Sequence, residues 1–401
     1  MQNTPEITSD IKASKPPRRH DLDWIRVLAT FGVIIFHTMR MFDPDDWEVK
    51  NNMTSDFVMI FIFFWAQWMM PIFFTISGAS TYYALGFRSP GQFLKAKTVR
   101  IMVPLLTVGI FVLSPPQDFI KLVTHGVIPP DFPIMEFLSN YVTQNKPFLG
   151  FPYFGFPTYH LWYLYFLFVF SLVLLPVFVY LRSESGTAFI ARISKFFNRS
   201  WTIYLWVIPI CVITTLLDPT TDLGNLNSYG GWSMLVYPFI FLMGFLLVSH
   251  ERFEKAVHSQ GKIALVLSII TYLGLMIMFM VLGEEAIFGA FGTPMYALFM
   301  SLRAFSMWCF MIAILYLGKR YFSYTSPRLQ YLSEGSLPYY MLHQTIIVII
   351  GYQIAQWQIG ILPKWIFLVI TTFIGIMVIY EFGIRRFNPI RFLFGVKPLR
   401  K

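Results

Sequence analysis

Six ionisable side chains stand inside otherwise apolar stretches of the 401-residue chain: Arg26, His37, His160, Arg303, His343 and Glu381. An imidazole in such a setting suits proton transfer or nucleophilic attack, and a guanidinium suits phosphate or carboxylate. If these stretches cross a membrane, a mid-helix charge costs roughly 2.5–3.5 kcal/mol, so each of the six is a candidate for function. Arg26 and His37 share the run DLDWIRVLATFGVIIFHTMRMF. Their spacing of eleven residues, at about 100° each, makes three helical turns plus roughly 20°, with a rise of about 16.5 Å. Both side chains therefore fall on one helix face and mark two depths of a single polar track. The bland alternatives are a snorkelling anchor for Arg26 and an interhelical hydrogen bond for His37.

The other candidates are distributed along the chain. His160 opens the run YHLWYLYF at a depth like that of His37. His343, in LPYYMLHQTI, is expected about a third of the way up its span from the cytoplasm. Glu381, in VIYEFGIRRF, has either Arg26 or the adjacent Arg385 as its expected partner. Arg303 has no motif around it and is expected to balance a buried acid. The stretch FRSPGQFLKAKTVRIMVP brings Lys95, Lys97 and Arg100 to the start of an apolar run. These three read as a topology signal, as a phosphate clamp, or as both.

Several chemistries are set aside. The chain has no G-x-S-x-G elbow, no HExxH and no Walker-type loop, and Ser77 in TISGAS reads as a small packing residue. Cys211 and Cys309 lie in apolar runs without metal-ligand spacing, and no metal is implied.

The elements that must hold these groups are apolar helices. With 56% hydrophobic and 13% charged residues, 19% aromatics and a mean hydropathy of +0.58, the composition excludes a disordered chain, a disulfide scaffold and an ordinary cytosolic enzyme. It points to an all-α integral membrane protein. Spans of about 20 residues are expected near 23–42, 56–86, 101–120, 159–181, 201–217, 233–249, 263–282, 294–317, 336–357 and 363–383, about ten in all. Pro71 and Gly78 suggest that the long second span kinks, tilts or is partly re-entrant.

The net charge of +10 is spread in short clusters between apolar runs, a pattern of membrane orientation and not of nucleic-acid binding. Basic residues gather before residue 23, in 87–100, 182–200, 250–262 and 318–335, and after 384. This bias puts both termini in the cytoplasm. The expected organisation is a basic tail over 1–22 with no signal peptide, one membrane domain over 23–384 and a basic tail over 385–401. The aromatic outer loop 121–158 reads as a cap over the bundle mouth, a partner-binding loop or an interfacial belt.

In its sequence the chain resembles the membrane-bound acyltransferase-3 family. The resemblance rests on LDWIR…HT with Arg26 and His37, FFTISG at 73–78, a basic pair before I-x-x-P at 97–104, HLWYL at 160–164 and YYMLHQ at 339–344, in that order. One departure is Lys97, standing where the family has the first Arg of an R-x-x-R pair. Lysine keeps the charge and loses the bidentate fork.

The resemblance implies transfer of an acyl group, succinyl or acetyl, from cytoplasmic acyl-coenzyme A to an extracytoplasmic hydroxyl of a carbohydrate or other acceptor, in a lipid membrane. Arg26, Lys97, Arg100 and His343 would bind the donor. His37 would be the general base or carry the acyl group, with His160 orienting the reactants and Glu381 holding Arg26. The rival expectation is a transporter or proton-coupled channel built on the same buried His, Arg and Glu residues.

Overall fold

The computed structural model describes residues 18–143, 158–219, 221, 230–289 and 291–399. Among these residues the secondary structure is entirely helical. The principal elements are α1 (His20–Met39), α2 (Asp56–Ala84), α3 (Pro90–Thr124), the bent pair α4 (Tyr159–Val173) and α5 (Leu175–Arg182), and the more sharply bent pair α6 (Glu184–Asn198) and α7 (Ser200–Leu216). They continue with α8 (Val236–Leu247), α9 (Glu251–Leu282), α10 (Pro294–Tyr321), α11 (Pro327–Ile354) and α12 (Ile361–Ile384).

Each of the ten expected spans falls on a helix, but length and composition qualify fewer of them. Six helices are long and apolar enough to cross a membrane, and eight if each bent pair counts once. Helix α8 is short, and α11 carries too many polar groups to qualify. Most of the basic tail expected over 1–22, and residues 144–157 of the aromatic loop, lie outside the described residues.

Helix α1 sits inside the bundle, packed against α2, α10, α11 and α12. Burial grades outward from there: 67% of the apolar window of α10 is buried, against 22% in α9 and α12. Helix α9 turns Ile263, Val266 and Ile270 outward, and α12 does the same with Ile370 and Ile374, as lipid-facing helices do.

The glycines set the closest crossings. A Cβ on Gly78 would stand 2.0 Å from the Phe241 carbonyl oxygen, and one on Gly244 would stand 2.1 Å from that of Thr75, so α2 and α8 touch backbone to backbone. Gly78 is thus a packing residue, and α2 runs unbroken through both Gly78 and Pro71.

Helix α3 widens into π-helical turns over Thr98–Met102 and Leu105–Leu113. Pro104 cannot donate a backbone hydrogen bond there, and a widened turn accommodates the missing donor. Ser326 caps α11 by accepting from the Leu329 amide at 3.0 Å, with Pro327 at the first helical position. That cap starts α11 well before residue 336, where the expected span begins, and this decides where His343 falls.

Candidate active site

Three helices bring three histidines together at the C-terminal end of α1. His37 Nδ1 and His343 Nε2 are 2.9 Å apart. The ring of His160 lies 4.7 Å from that of His343 and 6.3 Å from that of His37, centroid to centroid. The sequence alone places His343 deeper, toward the other end of the bundle, and the structure corrects this. Because α11 begins at Pro327, His343 stands past the middle of a 28-residue helix and reaches the depth of His37.

Backbone carbonyls orient two of the rings. His343 Nδ1 faces the Tyr340 carbonyl, and His160 Nε2 lies 3.1 Å from that of Met341. The Tyr340 hydroxyl in turn donates to the His160 carbonyl. Tyr159 precedes His160 in a left-handed conformation, φ 45°, unusual for a residue with a Cβ. Its hydroxyl donates to Asp118 at 2.6 Å, an anchor for the turn that aims His160 inward. His343 and His160 are buried, whereas His37 keeps partial exposure and is the most accessible of the three.

The loop after α1 closes over this cluster. Trp47 lies nearly parallel to His37, 15° between planes with centroids 6.3 Å apart. The buried Lys364 ammonium pins the loop by donating to Asn51 at 2.6 Å, Asn52 at 3.0 Å and the Ala355 carbonyl at 2.9 Å. Burial pushes the Glu48 carboxyl above the usual range, and Glu48 Oε2 has no hydrogen-bond partner.

Cations collect at the other end of α1. Arg26 donates to Asp23 at 3.1 Å and to Ser80 on α2 at 3.3 Å. Lys97 and Arg100 lie within electrostatic reach of each other and of Arg26. Lys97 also stands over the Phe93 and Phe241 rings at 5.6 and 6.0 Å. Among the described residues neither Lys97 nor Arg100 is in a salt bridge, and Arg100 is exposed. Asp23 pairs with Arg26 and acts on Arg100, and three cations against that one carboxylate leave a positive excess suited to an anion.

Polar side chains bridge the two ends. Ser77 shares a 3.0 Å hydrogen bond with the Tyr163 hydroxyl, Tyr163 lies in the field of Arg26, and its ring meets that of Tyr340 at 5.7 Å. Sequence reasoning does not single out Tyr163, Tyr340 or Trp47. The first two sit inside the quoted HLWYL and YYMLHQ runs, which is the signal that could have found them.

Glu381 does not reach Arg26. It pairs with Arg385 at 3.0 Å and Arg386 at 3.6 Å and accepts from the Tyr331 hydroxyl at 3.1 Å. Arg385 is one turn away on the same helix face, the geometry that favours such pairs, so the local partner wins. Arg303 balances no acid among the described residues: it donates to the Gly231 carbonyl and lies 4.5 Å from the Trp232 ring. A separate cavity lined by Arg19, Ala79, Gly244, Glu254, His258 and Lys319 contains none of the three histidines.

The sequence model of an acyltransferase domain matches residues 19–381, which include the cationic end, the bridging tyrosines and the histidine cluster. The chain belongs to the acyltransferase-3 family. Similar relatives of this acyltransferase include the glucans biosynthesis protein C of Salmonella paratyphi A (strain ATCC 9150 / SARB42), 25% identical over 399 residues that cover 95% of this chain and 96% of the relative. The proteins of the same name from Salmonella typhi and Salmonella typhimurium (strain LT2) are 24% identical over the same shares. No solved structure matches this acyltransferase significantly. Family and apolar helices together make it a membrane acyltransferase.

Proposed function

We propose that this protein is an O-acyltransferase of the cytoplasmic membrane, with both termini in the cytoplasm, that moves a succinyl or acetyl group from cytoplasmic acyl-coenzyme A to a hydroxyl of an extracytoplasmic glycan. The observation that carries the reading is the polar line from Arg26, Lys97 and Arg100 past Ser77 and Tyr163 to His37. The donor's phosphates rest on the cations, and its extended pantetheine arm follows the line for the roughly 16.5 Å that eleven helical residues span. Its thioester then stands beside His37, whose partial exposure admits the acceptor.

In the reaction, His37 takes the acceptor's hydroxyl proton while the oxygen attacks the thioester carbonyl carbon. The carbon–sulfur bond breaks, the ester forms, and the proton passes from His37 to the departing thiolate. His160 Nδ1, buried without a hydrogen-bond partner, accepts from a neighbouring hydroxyl of the glycan and so orients the acceptor.

The test is twofold. Purified protein given acetyl- or succinyl-coenzyme A and a glucose oligosaccharide should release free coenzyme A. Mass spectra of surface and periplasmic glycans from cells with the gene should show ester mass increments missing from cells without it. Unchanged glycans and intact thioester would favour a transporter instead.

A further inference from the structure

We infer that His343 is a positioning residue that holds His37 as its Nδ1–H tautomer, so that Nε2 of His37 is the nitrogen that accepts the substrate proton. This rests on the reading of His37 as general base. It gives His343 a different role from donor binding.

The argument is one of donors and acceptors. His343 Nδ1 faces the Tyr340 carbonyl oxygen, which can only accept, so Nδ1 carries a hydrogen. The neutral ring then has its lone pair on Nε2. That lone pair faces His37 Nδ1 at 2.9 Å, and two lone pairs cannot share such a contact. His37 Nδ1 must donate, and the free lone pair of His37 is on Nε2.

A doubly protonated His343 would reverse the assignment. His343 is 0% exposed, however, and none of the salt bridges among the described residues brings a carboxylate to the three rings, so a charge there would be buried uncompensated.

The tautomer is built into the fold. Tyr340 and His343 are one turn apart in α11, so the carbonyl that reads Nδ1 is as rigid as the helix. His160 is set separately by the next carbonyl, that of Met341. During transfer His37 Nε2 gains the hydroxyl proton and later gives it to the thiolate. His37 Nδ1–H stays bonded to His343 Nε2 throughout, and His343 neither gains nor loses a proton. A buried carboxylate plays the same part in serine hydrolases, where the wrong tautomer lowers kcat by about 10⁴.

The experiment uses the full chain in lipid nanodiscs, with acetyl- and succinyl-coenzyme A as probes and coenzyme A release as the readout. In H343Q the amide oxygen takes the place of Nε2 and accepts from His37. In H343N the amide stops at the position of Nδ1 and cannot reach. H343Q should keep kcat within about tenfold of wild type, and H343N should lose about a hundredfold or more, a difference set by tautomer control. The KM for the donor should stay the same in both. H343M, similar in shape to H343Q but without the acceptor, should match H343N and replaces it if H343N does not fold.

Equal kcat in H343Q and in the folded non-accepting variant, or an effect confined to KM, overturns the inference. H37A runs beside them. Turnover retained in H37A sinks the general-base reading itself, whereas a dead H37A beside a wild-type H343N sinks only the role of His343.

Discussion

Asp23 and Arg26 are bound to each other at 3.1 Å inside the first two turns of α1, and Arg18 holds the same Asp23 at 2.6 Å. The acid that sets Arg26 is therefore a neighbour on its own helix, and the guanidinium keeps a second bond to Ser80. Removing the guanidinium should weaken the donor's phosphate contact without touching the histidines. Arg26→Ala is expected to raise the KM for acyl-coenzyme A by about ten- to a hundredfold, the value of one charge-assisted hydrogen bond, with a smaller change in kcat. Steady-state kinetics checks it, and an unchanged KM would remove Arg26 from the donor site.

Lys97 offers the opposite change. Its ammonium stands over the Phe93 and Phe241 rings and carries no fork for a phosphate. Lys97→Arg adds a planar, bidentate group that also stacks on aromatic rings, and should lower the donor KM by about threefold or more. Lys97→Ala should raise it. Titration calorimetry with coenzyme A alone gives an independent measure of both.

The α2–α8 crossing predicts a stability effect separate from chemistry. Gly78→Ala would place a methyl 2.0 Å from the Phe241 oxygen and 2.7 Å from the Phe245 nitrogen, both backbone atoms. The helices must separate, at a cost of about 1–3 kcal/mol or more for overpacking. Gly274→Ala, which meets nothing within 4 Å, is the control and should be neutral or slightly stabilising by helix propensity. Thermal unfolding followed by intrinsic fluorescence would show whether the two variants diverge.

Glu48 predicts a pH effect. Burial raises its carboxyl above the ordinary value near 4.5, so the folded state holds this proton more tightly than the unfolded chain does. Stability from Glu48 is then complete below the unfolded value and is lost as pH rises through the folded one. Glu48→Gln cannot ionise. It should raise the melting temperature at neutral pH, with an advantage that shrinks as pH falls from the raised folded value toward about 4.5, the usual glutamate range, and is gone below it. Melting curves across pH 4 to 8, taken as an approximate window, decide it; a constant difference would mean that ionisation of Glu48 is not the cause.

Local periodicity made part of the site readable. An α-helix returns to the same face after eleven residues whatever surrounds it, so Arg26 and His37 were aligned by their spacing alone, and their separation followed from the helical rise. The apolar runs likewise marked the helices, because a chain this poor in charge has to bury its backbone polar groups in helices within a bilayer.

Other relations depended on which helices meet and where each one starts. Glu381 found Arg385 instead of Arg26 because a partner one turn away needs no tertiary contact. His343 reached His37 because the Ser326 cap lengthened α11 at its start, and an apolar window cannot register such a cap. Ser77 met Tyr163 because α2 and α4 pack at that level of the bundle, a distance of 86 residues in the chain. Periodicity within a helix is fixed by the backbone and is written into the sequence. The rotation and depth of one helix against another are fixed by side-chain volumes and glycine contacts summed over the whole bundle, and only the folded chain decides them.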